Sequence, residues 1–138
     1  MIRYLLDTNV LSEPIRRDPN PGVLAKLAEF TGQYATAAPV LEELVFGVHR
    51  LPPSRRRDDL RRFLDDLMSS DMPILPYDVA AASWLGEERA RLAASGTPLP
   101  IMDSLVAAVA RVNDLVLVTR NTRDFERHTS LHVENWFR

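Results

Sequence analysis

The stretch Ile2-Arg3-Tyr4-Leu5-Leu6-Asp7-Thr8-Asn9 constrains the fold more than any other: a short apolar run delivers an aspartate and two small polar residues just before a helical pattern begins. A strand buried on both faces reads as a nearly continuous apolar run, as a parallel sheet covered by helices requires. In open α/β sheets ligands collect outside the carboxyl ends of such strands, and Asp7 falls there. The competing reading is local, because Asp, Thr and Asn all cap helices well. The same logic returns near the far end of the chain. Leu115-Val116-Leu117-Val118, β-rich and continuous, runs into Thr119-Arg120-Asn121-Thr122-Arg123-Asp124-Phe125.

Helical periodicity fills the interval between these two strands. Val10, Leu11 and Ile15 predict a short helix that stops at the turn Asp18-Pro19-Asn20-Pro21. A second helix is predicted from Pro21 or Gly22 to Phe30, ended by Gly32, with a short strand over 33–36. Leu41, Leu44, Val45, Val48 and Leu51 form one apolar stripe of the next helix, with Pro39 in its first turn. After Pro52-Pro53, residues 54–72 read as a long amphipathic helix burying Leu60, Phe63, Leu64, Leu67 and Met68, and 72–77 as a short strand or extended connector. A further helix over 78–94 carries Val79, Ala82, Ser83, Leu85, Gly86, Ala90 and Ala93, with Trp84 in the core or at an interface. The loop 95–100 delivers a helix opened by Pro100 and closed by Asn113-Asp114, and 131–133 is a last edge strand. Strands alternating with helices predict a mainly parallel sheet with helices on both faces. With 138 residues, 46% of them hydrophobic, the chain suffices for one buried core and not for two, so a single domain over 1–138 is expected.

Composition narrows the chemistry. The absence of cysteine excludes thiolate metal sites, so any metal is held by oxygen or by the three histidines, which favours Mg²⁺ or Mn²⁺. No apolar stretch approaches the ~20 residues that span a bilayer, and the N-terminus lacks a basic region followed by a long apolar one. A cytoplasmic protein without a membrane partner is expected. The net charge of −2 gives no general attraction for nucleic acid. Lys26 is the only lysine among seventeen basic residues, and arginines gather at Arg55-Arg56-Arg57, Arg61-Arg62, and Arg120 with Arg123. The planar guanidinium suits phosphate, but Asp58, Asp59, Asp65 and Asp66 neutralise much of the first group, which also fits a solvated helix face.

Four acids are left for one sheet edge. Asp7 and the Asn121/Asp124 pair follow strands, while Asp103 and a glutamate of the Glu42-Glu43 pair lie early in helices that can face the same edge. Periodicity cannot choose between the glutamates: Glu43 shares a side with Val40 and Gly47, Glu42 with Val45 and Phe46. Either glutamate, like Asp103, can simply complement a helix dipole. Gathered together, such carboxylates raise one another's pKa values, and a hard divalent cation turns that repulsion into a binding site.

These residues also carry a family resemblance. Leu6-Asp7-Thr8-Asn9-Val10-Leu11-Ser12-Glu13, Glu43-Leu44-x-x-Gly47-Val48, Leu99-Pro100-Ile101-x-Asp103 with Ala107-Ala108, and Thr119-Arg120-Asn121-x-x-Asp124-Phe125 resemble, in order and over essentially the whole chain, PIN-domain ribonucleases. The VapC-like toxins of bacterial toxin–antitoxin pairs, including the FitB-like proteins, are the branch most resembled. Each motif alone is weak; the set is specific. The resemblance implies a PIN-like three-layer α/β/α fold with a central, mainly parallel sheet, and a metal-dependent endoribonuclease using Mg²⁺ or Mn²⁺. It makes Asp7, Glu43 and Asp103 the acidic metal-site residues, choosing Glu43 over Glu42, with Thr8 as a supporting hydroxyl. Asn121 departs from the Asp that many members carry; it can ligate or support the site but adds no charge, and Asp124 three residues on can complete the catalytic set. Arg120 and Arg123 flank this segment as candidates for substrate phosphate. RNA cut to 5′-phosphate and 3′-hydroxyl ends, a cognate antitoxin, and a homodimer or toxin–antitoxin hetero-oligomer are implied in the same way. Two other readings stay open: a PIN-like binding module without catalysis, and a phosphatase of the haloacid dehalogenase type. The latter needs a second Asp two residues after the first, where this chain has Asn9.

Overall fold

The computed structural model describes residues 1–97, 100–128 and 130–138. Pro98 and Leu99, which belong to the expected 95–100 loop and to the Leu99-Pro100 motif, lie outside the described residues. The chain runs β1 (Tyr4–Leu6), α1 (Thr8–Leu11), a 3₁₀ turn (Glu13–Ile15), α2 (Pro21–Glu29), β2 (Tyr34–Ala37), α3 (Ala38–Arg50), α4 (Arg55–Ser69), β3 (Ile74–Leu75), α5 (Val79–Ala94), α6 (Ile101–Val112), β4 (Val116–Val118), α7 (Thr122–Phe125) and β5 (Val133–Glu134).

All five strands are parallel, in the order β3-β2-β1-β4-β5, and helices flank the sheet. Chain order therefore spreads one way from β1 through β2 to β3, and the other way through β4 to β5. The β1/β4 boundary is the switch point where an open α/β sheet forms its crevice. The register pairs Leu5 with Leu117 and Leu6 with Val118, so the residues that follow, Asp7 and Thr119, emerge side by side.

Local signals set most helix starts. Asn20 accepts from the amides of Gly22 and Val23 ahead of Pro21, Ser54 from Arg57, and Asp78 from Ala81, each cap worth about 1 kcal/mol. The strands Tyr4, Leu5, Leu6, Leu117 and Val118 pack with Val40, Leu44 and Val48 of α3 and with Val106, Val109 and Ala110 of α6 in one core. On its other side α6 meets α5, where Ala81 and Leu85 close on Ala108 with Trp84 packed against them. Squeezed between sheet and α5, α6 is apolar over most of its circumference. Among the described residues no helix is long and apolar enough to cross a membrane.

Several expected faces shift. The first predicted helix is split into α1 and the 3₁₀ turn, since Pro14 lacks the amide that would continue it. On α3 the buried row is Val40, Leu44 and Val48; Val45 is exposed and lines, with Ala38, Leu41, Glu42, Phe46 and His49, an open apolar groove of about 440 Å³. Met68, expected in the core, is 59% exposed because α4 turns Leu64 and Leu67 inward. On α5 only Leu85 of the expected set is buried; the contact with α6 uses Ala81 and Leu85, four apart, leaving Val79, Ala82, Ser83, Gly86, Ala90 and Ala93 exposed. Trp136 is core, its ring 5.2 Å from Tyr4 and 5.7 Å from Phe30.

Candidate active site

Asp7 leaves the end of β1 almost fully buried, and its amide donates to the Val118 carbonyl at 2.9 Å. One carboxylate oxygen accepts from the Thr8 amide at 2.8 Å, so the capping role is real. The other accepts from the Thr119 hydroxyl at 2.8 Å, with the Asn9 amide farther off at 3.5 Å. Capping and a role at the strand edge thus coexist in one side chain. Burial pushes the Asp7 pKa up and the Glu43 charge adds to this, against the hydrogen bonds from Thr119 and Thr8, which pull it down.

Glu43 comes to the same place from the first turns of α3, where its Oε2 accepts the Thr8 hydroxyl. Glu42 points instead to the apolar groove. Periodicity left the two glutamates equal; in the fold it is Glu43 that the Thr8 hydroxyl meets, from a helix that Asp7 itself caps. Asp103 stands in the first turn of α6, half-buried, its carboxyl raised to about 6 by burial and then by the charges of Asp7, Asp124 and Glu43. The charges of Asp7, Asp124 and Glu43, from three other segments, thus all bear on Asp103.

Asp124 lies exposed on α7, and Asn121 caps that helix without a side-chain capping bond. The Asn121 amide donates to the Thr119 hydroxyl oxygen at 3.1 Å, so one buried hydroxyl ties the α7 entry to Asp7. Arg120 and Arg123 are both exposed beside this segment; the Arg120 guanidinium lies 4.9 Å from the Phe137 ring centroid. In the Arg55 to Arg62 stretch, Arg62 reaches Asp59 at 3.8 Å, the local neutralisation expected of a solvated face.

The donors are hydroxyl, amide and carboxylate oxygens, the chemistry a hard divalent cation takes, and their mutual repulsion at Asp103 is what such a cation offsets. Among the described residues, however, no three acidic or imidazole side chains are already gathered into a group that can hold an ion. Thr119 and Asn9, to which the sequence motifs assign no site role, also shape this edge. Thr119 is fully buried at a strand end, and Asn9 accepts the Arg120 amide at 3.0 Å, tying α1 to the β4 exit. A buried polar residue directly after an apolar strand was the signal available.

Comparison with known proteins bears on the family and the fold. The PIN domain family model matches residues 4–130. The chain is 34% identical over 137 residues to the tRNA(fMet)-specific endonuclease VapC of Shigella flexneri, covering 99% of each. It is 34% identical over 128 residues to Toxin FitB of Neisseria gonorrhoeae, covering 88% of this chain and 89% of that one. Among solved structures it resembles VapBC-5 of Mycobacterium tuberculosis, a member of the VapBC family of toxin-antitoxin systems, with a TM-score of 0.74, 28% identity and full coverage of both chains.

Proposed function

Because the chain belongs to the PIN-domain family, we propose that it is a metal-dependent endoribonuclease acting as the toxin of a toxin–antitoxin pair. The observation that carries this reading is Asp7 at the β1/β4 switch point, with Glu43 joined to the adjoining helix through the Thr8 hydroxyl and with Asp103 raised by burial and by the charges of Asp7, Asp124 and Glu43. Asp7, Glu43 and Asp103 would hold Mg²⁺ or Mn²⁺, with Asn121 or Asp124 completing the set. The cation, when bound, supplies Lewis acidity that makes water a nucleophile near neutral pH and offsets charge on the scissile phosphate.

The chain's own residues do the rest. Hydrogen bonds from the Thr8 amide and the Thr119 hydroxyl lock the Asp7 carboxylate in one orientation, and the Thr8 hydroxyl does the same for Glu43. Asp103, raised to about 6 by burial and by the charges of Asp7, Asp124 and Glu43, is ionised most readily when a cation shares its field. Arg120 and Arg123 at the rim take the flanking phosphates of the RNA. The named relatives, an endonuclease and a toxin, support RNA as substrate and an antitoxin as partner. Attack of water on the phosphodiester leaves 5′-phosphate and 3′-hydroxyl ends.

The test is cleavage of a panel of structured RNAs by antitoxin-free protein in Mg²⁺, Mn²⁺ or EDTA, beside Asp7→Asn. Metal-dependent cuts that vanish in the variant are the expected result. Cuts that survive EDTA, or that Asp7→Asn makes equally well, refute it.

A further inference from the structure

A second cluster of polar side chains lies on α5, away from the strand ends. The Glu88 carboxylate accepts two parallel bonds from Arg91, Nε and Nη2 each at 2.9 Å, and a third contact from His128 Nδ1 at 2.7 Å. Arg91 Nη2 also donates to the Arg127 carbonyl at 2.9 Å. The hydrogen bonds from Arg91, and after them that from His128, hold Glu88 far below the usual carboxylate range, at about 2, so it is ionised and Nδ1 carries the hydrogen between them. The His128 side chain is 1% exposed, with the Trp84 ring 5.3 Å away.

The placement of this cluster is what gives it a role. The His128 amide donates to the carbonyl of Phe125, the last residue of α7. A four-residue helix has almost no stability of its own, so its orientation is set by whatever holds its ends. One end is tied to Thr119 through the Asn121 amide; the other is tied to α5 through His128 and Arg127. The same α5 packs on α6 through Ala81, Leu85 and Ala108. One helix thus braces both α6, which carries Asp103, and α7, which carries Asp124.

We propose that Glu88, with Arg91 and His128, is a positioning group that fixes Asp124 on α7 relative to Asp103 on α6 and thereby sets the affinity of the acidic cleft for its divalent cation. This rests on the nuclease reading above. A merely structural triad lowers the melting temperature when broken and leaves the metal affinity of the folded protein alone. A positioning triad moves both.

The experiment measures Mn²⁺ binding by calorimetry, and the Mn²⁺ dependence of RNA cleavage, for the full chain and for Glu88→Ala, His128→Ala and His128→Asn, all well below their melting temperatures. Asn places an amide donor close to where Nδ1 stands, so it serves as the conservative rescue. The two alanine variants are expected to bind Mn²⁺ about tenfold more weakly, as loss of a group that orients a ligand does, and to need correspondingly more Mn²⁺ for cleavage. His128→Asn recovers most of the loss, and amide exchange over 122–128 quickens only in the alanine variants. Should Glu88→Ala not fold, Arg91→Ala removes the tie to Arg127 while keeping the His128 bond, and a weaker Mn²⁺ affinity is expected there too. Folded variants that melt earlier but bind Mn²⁺ as the parent does overturn the proposal. A parent protein that binds no Mn²⁺ overturns the nuclease reading itself.

Discussion

The Thr119 hydroxyl donates to Asp7 Oδ2 at 2.8 Å across 112 residues of sequence, joining the ends of the two central strands at the cleft. Both groups are buried, so Thr119→Val keeps the shape and leaves a carboxylate oxygen short of its donor, at a cost of about 1–3 kcal/mol. Because this bond lowers the Asp7 pKa, its loss drives that pKa further up and weakens metal binding. The expected outcome is a lower melting temperature together with cleavage that needs more metal and a higher pH. Thr119→Ser keeps the hydroxyl and should restore both; a Val variant with the parent's metal dependence would show the bond to be structural only.

Asp103 gives a pH prediction of definite sign. Its folded pKa, about 6, lies above the ordinary 3.8, so in that window the folded protein holds more protons than the unfolded chain. Without metal, stability therefore rises as pH falls from 7.5 through 6 towards 4. Asp103→Asn removes the repulsion and should melt higher than the parent at pH 7.5 in EDTA, while losing RNA cleavage. Melting curves at several pH values check this: a parent stability that does not rise over that range contradicts a carboxyl raised by burial and by its acidic neighbours.

How much of this was legible in the sequence depends on whether a residue's role is local. The strands at Tyr4–Leu6 and Val116–Val118 and the helix opened by Pro100 follow from apolar runs and capping chemistry, and all appear. The β3-β2-β1-β4-β5 order does not, because strand neighbours are chosen by tertiary packing. Helix faces failed where two faces were nearly equal in hydrophobicity: α5 carries small residues all round, and only the position of α6 decides that Ala81 and Leu85 go inside. At the site, Asp7 and Asp103 were readable from strand and helix ends. Preferring Glu43 to Glu42 as a candidate rested on the family resemblance, and Glu88 with His128 gave no signal, since their meeting across 40 residues exists only in the fold.

Glu88 makes the opposite pH prediction to Asp103. Its pKa is depressed from an ordinary 4.5 to about 2, so its contribution is present above 4.5 and is lost as pH falls towards 2. Acid unfolding of the parent should steepen across that window, and Glu88→Gln should flatten the slope there while leaving the Asp103 effect near pH 6 in place. Equal acid titrations of parent and variant would mean that the Arg91 and His128 contacts carry no charge-dependent stability.

Gly22 is demanded by a close approach. A Cβ there would stand 2.7 Å from the Trp136 carbonyl oxygen and 2.5 Å from Arg138 Cγ. The C-terminal strap is clasped to the start of α2 at this point, Asn20 donating to the Arg138 carbonyl and accepting its amide at 3.0 and 3.2 Å. The Arg138 side chain can move aside, whereas the Trp136 carbonyl belongs to backbone that must shift. Gly22→Ala should cost about 1–3 kcal/mol, as overpacking does, read as a lowered midpoint in urea. An unchanged midpoint would mean that the strap gives way freely.

Displacing that strap should also reach the RNA, because Phe137 on the strap supports Arg120 at the cleft rim, 4.9 Å from guanidinium to ring. Arg120 is exposed and its amide is fixed by Asn9, so its side chain is held at the rim by the ring face and by whatever anion it meets. A phosphate contact outside the reacting centre contributes binding that is equal in ground and transition states, so its loss raises KM and spares kcat. Arg120→Ala is expected to raise KM for RNA about tenfold, equivalent to about 1.4 kcal/mol, and to reduce the salt dependence of binding by about one counterion. Phe137→Leu keeps an apolar cover and removes only the ring's attraction for the cation, about 0.5–1 kcal/mol at an exposed site, so its effect should be smaller and of the same kind. A fall in kcat at unchanged KM in Arg120→Ala would instead place the guanidinium on the reacting phosphate, and the rim assignment would be wrong.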